Sequence, residues 1–205
     1  MKKTFQFLSI RSTLFLLGSF LPATTGYQVG DKAMDFKLKN VDGKTVSLAD
    51  NPAAKGYIVI FTCNTCPVAK AYEDRIIALD KKYAAKGYPV VAINPNDPGL
   101  SPGDAISEMK KRADKKKYSF PYLVDDGQVV AKTYGARNTP HVYILTKTGA
   151  EFTVAYIGAI DNNTGDGEAA TNKYVETAMT ELMAGKPVTT SQTKAIGCGI
   201  KWKKA

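Results

Sequence analysis

Two cysteines, Cys63 and Cys66, stand two residues apart between an apolar run and a proline that opens an amphipathic stretch. Cysteines at this spacing can close a small disulfide ring. A helix beginning at Pro67 would aim free N–H groups and the positive end of its dipole at both sulfurs. Both effects favour the thiolate, which is the attacking species in disulfide exchange. A structural disulfide or half of a zinc site would use the same residue types. Zinc needs a second pair of ligands, and for that the sequence offers only Cys198 and His141. Redox exchange is the reading that suits a Cys-x-x-Cys beside a βαβ pattern.

The elements around the pair follow from periodicity. Tyr57-Ile58-Val59-Ile60-Phe61 is nearly continuously apolar, as a strand buried on both faces of a parallel sheet would be. Val68, Tyr72, Ile76, Leu79 and Tyr83 recur at helical spacing, which predicts a helix from about Pro67 to Tyr83, ended by Gly87. Pro89 to Ile93 is a second buried strand, completing a right-handed βαβ unit. Upstream, Met34–Lys39 and Thr45–Leu48 face each other across Val41-Asp42-Gly43-Lys44 as a hairpin. Downstream come an Asn- and Pro-rich loop (Asn94 to Pro102), a helix over about Asp104–Lys117, and strands at Tyr122–Val124 and His141–Leu145. Phe152–Ile157 then pairs back as a hairpin, and a last helix covers about Glu168–Met183.

The first residues belong to transport. Lys2, Lys3 and Arg11 precede the apolar run Leu14–Leu21, and small residues follow at Ala23 to Gly26, the pattern of a secretory signal peptide over residues 1–26. The run is well short of the roughly 20 residues of a membrane span, so no stable membrane insertion is expected once it is cleaved. The full chain carries 28 basic and 19 acidic residues, +9 in all; without the three basic side chains of the leader the excess is +6. That excess is moderate, and export argues against nucleic acid as a partner. The reading is periplasmic or secreted, where disulfides persist. Residues 27–185 form one α/β domain and 186–205 a tail packed on it.

The quoted residues resemble a family. Cys63-Asn64-Thr65-Cys66-Pro67 after an apolar strand, with Thr139-Pro140 before a later one, is similar to the thioredoxin superfamily. The run Cys63 to Arg75 and the tail Gly197-Cys198-Gly199-Ile200-Lys201-Trp202 are similar to segments of its redoxin branch. That branch is related to peroxiredoxins of the alkyl hydroperoxide reductase/thiol-specific antioxidant type. The resemblance implies a thioredoxin-like fold, a central mixed sheet flanked by helices with an N-terminal β-hairpin. It also implies that Pro140 is a cis-proline and that Thr139 and Pro140 receive a partner's extended backbone. Three departures stand out. Tyr57 occupies the place of the buried acid of thioredoxins, the dipeptide between the cysteines is Asn-Thr, and Cys63 stands where peroxiredoxins carry a threonine before the reacting cysteine. Arg137 falls near the peroxiredoxin arginine but out of register.

The expected function is extracytoplasmic thiol–disulfide exchange without an organic cofactor, its partners being protein thiols or disulfides, or another redox protein. Cys63 attacks and Cys66 resolves. Because Pro67 sets Cys66 at or beside the N-cap, the reverse order is also open. Cys198 is a candidate third redox thiol, a buried free thiol or a dimer link. Two alternatives are kept: a thiol peroxidase with Cys66 attacking, and a copper-handling protein using His141 with Cys63 and Cys66. The basic run Lys110–Lys117 reads as a solvated face, and Asp161, Asp166 and Glu168 as a polar loop.

Overall fold

The computed structural model describes residues 26–204. The basic and apolar leader therefore lies, apart from Gly26, outside the described residues. The centre of the molecule is three parallel strands, β4 (Gly56–Phe61), β5 (Val90–Asn94) and β6 (Tyr122–Val124). Against β4 runs the antiparallel β8 (His141–Thr148), which pairs in turn with β9 (Glu151–Gly158). β1 (Lys32–Ala33) closes that edge. The hairpin β2 (Leu38–Asn40) and β3 (Thr45–Val46) closes the other, giving the order β1-β9-β8-β4-β5-β6-β2-β3. A second, two-stranded sheet joins β7 (Asn138–Thr139) to β10 (Cys198–Gly199).

Alternation along β4 divides the core into two layers. Tyr57, Val59 and Phe61 pack with Leu48, Tyr134, Tyr143 and Phe152 on one face. Ile58 and Ile60 pack with Tyr72, Ile76, Met109, Tyr156 and Met179 on the other. Helices α1 (Pro67–Tyr83), α2 (Ile106–Lys116) and α4 (Tyr174–Met183) cover the second face, and α3 (Val129–Tyr134) covers the first. This is the α/β architecture expected, a mixed sheet flanked by helices with the hairpin near its N-terminus.

The first strand of the hairpin is shorter than the alternation of Met34–Lys39 predicts. The Asp35 carboxylate accepts from the amides of Phe36 and Leu48 and from the Ser47 hydroxyl, so local turn bonds replace a ladder there. The last helix begins six residues later than its periodicity suggests. Asn162 and Asn172 pair reciprocally, through the Asn162 side chain and the backbone, and hold residues 168–173 in a loop. The six residues of α3 are too few to show a helical period. They form because Asp125, from outside the helix, accepts from the amides of Val130 (3.4 Å) and Ala131 (2.7 Å).

The segment after α4 does not merely lie on the surface. Residues 191–193 follow β9 as a short parallel rung at Ile157. The chain then crosses to the cysteines, and Ile200 enters the core with 6% exposure. Helix α1 is held to the sheet chiefly by Tyr72, Ile76, Leu79 and Tyr83. Truncation of Ile76 to alanine is expected to cost about 3 kcal/mol, read as a lowered denaturation midpoint with an unchanged slope.

Candidate active site

The register of β8 on β4 builds the site. Phe61, the last residue of β4, lies opposite His141, the first of β8. One chain therefore leaves the sheet through Thr62 and Cys63 just where the other enters it through Thr139 and Pro140. The Thr139–Pro140 peptide bond is cis, as the family resemblance implied. Cys63 Sγ lies 3.1 Å from Thr139 Oγ1, and Cys66 Sγ lies 3.3 Å from the Thr139 carbonyl oxygen. One residue thus touches both sulfurs.

Cys66 is the N-cap of α1, in extended backbone conformation with Pro67 at the first helical position. Its sulfur accepts from the Ala69 amide at 3.4 Å, so it stands on the free N–H groups that begin the helix. The structure pairs Cys66 with Cys198 in a disulfide, Cα to Cα 5.8 Å, and leaves Cys63 a free thiol. The Cys198 amide also points at Cys66 Sγ, at 3.4 Å. Cys63, Cys66 and Ala69 form one small apolar cluster with Val68 and Cys198 against it. With the tail in place Cys63 and Cys66 are each only 3% exposed.

The dipeptide between the cysteines is fixed by a residue the sequence reading passed over. Asp104, 2% exposed, accepts from five donors: the Asn64 amide (2.6 Å), Thr65 Oγ1 (2.7 Å), Ser101 Oγ (2.6 Å), Asn94 Nδ2 (3.1 Å) and Asn96 Nδ2 (2.9 Å). Burial alone would raise its pKa. The hydrogen bonds from Ser101, Asn96, Thr65 and Asn64 outweigh it and hold the carboxyl below the ordinary aspartate value of 3.8. Tyr122 completes the frame by donating to Asn64 Oδ1 at 3.1 Å. The signal was present in the density of Asn, Ser and Asp between Asn94 and Asp104, a polar loop too rich in side-chain donors to be only a connection.

The other candidates fall as follows. Tyr57, at the place of the thioredoxin acid, is a core residue whose hydroxyl donates to the Leu48 carbonyl at 2.5 Å. Burial and then the neighbouring Asp35 and Asp50 push its pKa up to about 12, so it carries no charge at neutral pH. His141 packs its ring on Tyr143, and burial, then Arg137, pushes its pKa down to about 4. Among the described residues no group of three or more His, Cys, Asp or Glu side chains is placed to hold a metal ion. His141, Cys63 and Cys66 do not form such a group. Asp161 is paired with Arg75 at 2.7 Å. Arg137 contributes its carbonyl, which accepts from the Ile200 amide at 3.1 Å.

These features define a thioredoxin-like domain with a thiol and a disulfide meeting at the start of its first long helix. A model of the AhpC/TSA family matches residues 29–156, and the chain belongs to that family. Over 122 residues it is 25% identical to the thiol-disulfide oxidoreductase ResA of Halalkalibacterium halodurans. That match covers 60% of this chain and 65% of the relative, so the chain spans less than two thirds of the relative's length. An uncharacterized conserved protein from Geobacillus kaustophilus superposes with a TM-score of 0.80 at 36% identity, over 90% of this chain and 98% of that one. The exposed lipoprotein thioredoxin Etrx1 of Streptococcus pneumoniae shares the fold, with a TM-score of 0.54 at 22% identity over 72% of this chain and 99% of that one.

Loss of Asp104 should loosen the dipeptide and the fold together. Asp104→Ala is expected to cost about 3 kcal/mol, because buried donors to a charged acceptor lose their partner. The folded-state pKa is lowered, so the carboxylate's contribution is present above its unfolded value and lost as pH falls through the folded one. The stability gap between the native protein and Asp104→Asn, measured by urea denaturation, should be flat above pH 5 and narrow below pH 3.8.

Proposed function

We propose that the protein is a thiol–disulfide oxidoreductase working outside the cytoplasm, with Cys63 and Cys66 as its exchanging thiols. Thr139 and Pro140 form the strand against which a partner's backbone lies. One observation carries this reading: the free Cys63 thiol and the Cys66–Cys198 disulfide share Thr139 as a neighbour, so both reactants of an exchange stand at one residue. The family match and the similarity to a named thiol-disulfide oxidoreductase support it. The helix N-terminus at Cys66 supplies the positive potential that stabilises a departing or attacking thiolate there.

The partner is a protein dithiol or disulfide, and electrons enter or leave through another redox protein. No organic cofactor is needed, since the two electrons of a disulfide stay on sulfur throughout. The extracytoplasmic site of action rests on the leader pattern of residues 1–26 and on a disulfide between residues 132 positions apart, which an oxidising compartment preserves. Among the described residues no helix is long and apolar enough to cross a membrane.

A second reading, thiol peroxidase, is favoured by the same disulfide. Cys66 is bonded to a cysteine from a separate element, while Cys63 holds the position of the peroxiredoxin threonine. The two readings separate by mutation. In dithiothreitol-driven insulin reduction, Cys66→Ser should lose about a hundredfold or more in rate, and Cys63→Ser should lose comparably because the mixed disulfide is no longer released. Hydrogen peroxide consumption that survives Cys63→Ser and disappears in Cys66→Ser would establish the peroxidase instead.

A further inference from the structure

The C-terminal tail pairs with the edge that the proposed function assigns to a partner. Cys198 lies opposite Thr139 and Gly199 opposite Asn138, antiparallel, directly before the cis-proline. The Asn138 side chain donates to the Gly197 carbonyl at 3.0 Å. An extended strand whose cysteine is bonded to Cys66 and whose backbone pairs with Thr139 is the geometry of an enzyme–partner mixed disulfide, supplied here by the chain itself. With it in place both active-site sulfurs are sealed, at 3% exposure each.

The strand is held at two anchors and is light between them. On one side Thr193 bonds to Ile157 and to the Ala159 amide. On the other Ile200 is buried, and the Lys201 carbonyl accepts from the Asp97 amide and from Gln128 Nε2. Between these, Ile196 and Gly199 are exposed, and glycines flank the cysteine on both sides. The two glycines are not equivalent. A Cβ on Gly197 would overlap the Thr139 carbonyl oxygen, at 2.6 Å from its carbon and 3.1 Å from the Pro140 nitrogen, all backbone atoms that cannot yield cheaply. A Cβ on Gly199 would meet nothing within 4 Å. The paired tail therefore has no room for a side chain before its cysteine and open space for one after it.

We propose that Gly197–Gly199 is an internal substrate, and that the protein's external partner is an extended polypeptide segment with glycine immediately before its reactive cysteine, bound along Asn138–Thr139 in the tail's place. This deepens the oxidoreductase reading and rests on it. The exchange is balanced within the chain. The Cys63 thiolate attacks Cys66 Sγ, the Cys63–Cys66 bond forms and the Cys66–Cys198 bond breaks. The electron pair leaves on the Cys198 sulfur, which takes up the proton Cys63 released. Cys63 is oxidised and Cys198 is reduced in that step, so the chain gains and loses no electrons overall, and the edge is freed. A partner thiolate then attacks Cys66 Sγ, displacing Cys63 as thiolate, which takes the partner's proton. The partner's second thiol attacks the partner sulfur of the mixed disulfide and releases Cys66 as a thiol. The partner dithiol is oxidised to a disulfide and the Cys63–Cys66 disulfide is reduced. In this sequence Cys66 holds the partner and Cys63 is the second thiol of the pair, the reverse of the order favoured from the sequence.

The test uses the full-length chain carrying Cys198→Ser, oxidised to its Cys63–Cys66 disulfide. The probes are the hexapeptide Lys-Ala-Ile-Gly-Cys-Gly and its analogue with alanine before the cysteine. Mixed-disulfide formation at Cys66 is quenched in acid and followed by mass. The glycine peptide should react about tenfold faster or more, as expected for a steric clash against fixed backbone. Equal rates would overturn the proposal. The native chain, given the same peptides, should keep that order at lower absolute rates because its own strand competes. Native rates equal to or above those of the variant would overturn it too. Dithiothreitol is the control that separates the two levels. A Cys63–Cys66 disulfide that dithiothreitol reduces while the peptides are not distinguished removes the edge specificity alone, whereas one inert to dithiothreitol removes the oxidoreductase reading.

Discussion

The antiparallel pairing of Phe61 with His141 is the constraint on which the rest of this molecule depends. It brings the end of an ascending strand and the start of a descending one to the same height, so that Cys63 and Thr139 must meet above the sheet. Helix α1 then begins four residues after Cys63, and its first turn delivers Cys66 to the same threonine. Slippage by one residue would send Tyr57, Val59 and Phe61 to the wrong face and carry Thr139 away from the sulfurs. The chemistry is therefore fixed by core packing: fully buried Ile58, Val59, Ile60 and Phe61 choose the register, and the register places the thiols.

A second constraint is electrostatic. A buried carboxylate is costly unless its lone pairs are filled, and Asp104 fills them with five donors drawn from the cysteine dipeptide, the end of β5 and the loop after it. The dipeptide is thereby tied down through its own Asn64 amide and Thr65 hydroxyl. The tail adds a third element. By closing over the sulfurs it leaves Cys63 and Cys66 each 3% exposed, and the disulfide it makes lies beside a free thiol.

Much of this was legible in the sequence. Hydrophobic periodicity located α1 from Pro67 to Tyr83 and all the central strands, since a buried strand and a long amphipathic helix carry many residues of consistent signal. Short elements carried too little. The six residues of α3 are defined by Asp125 from outside, and the hairpin strand was shortened by the turn chemistry of Asp35 and Ser47. The cysteine pair and its proline were visible as spacing, and the cis bond only through resemblance. Which sulfur bonds to which was not visible, because Cys66 and Cys198 are brought together by a tail without periodicity that a single buried side chain, Ile200, draws across the site. Asp104 was missed for a related reason: its role is a convergence of five donors from separate segments, and composition shows only that such donors are plentiful.

The central claim is that three sulfurs share one disulfide and exchange it at Cys66. It is tested most directly by locating the single remaining thiol in the oxidised native protein, quenched in acid, alkylated in denaturant and mapped by peptide mass. The account predicts one label per chain, on Cys63 with any remainder on Cys198, and Cys66 always protected. A label found on Cys66, or more than one label per chain, would contradict it.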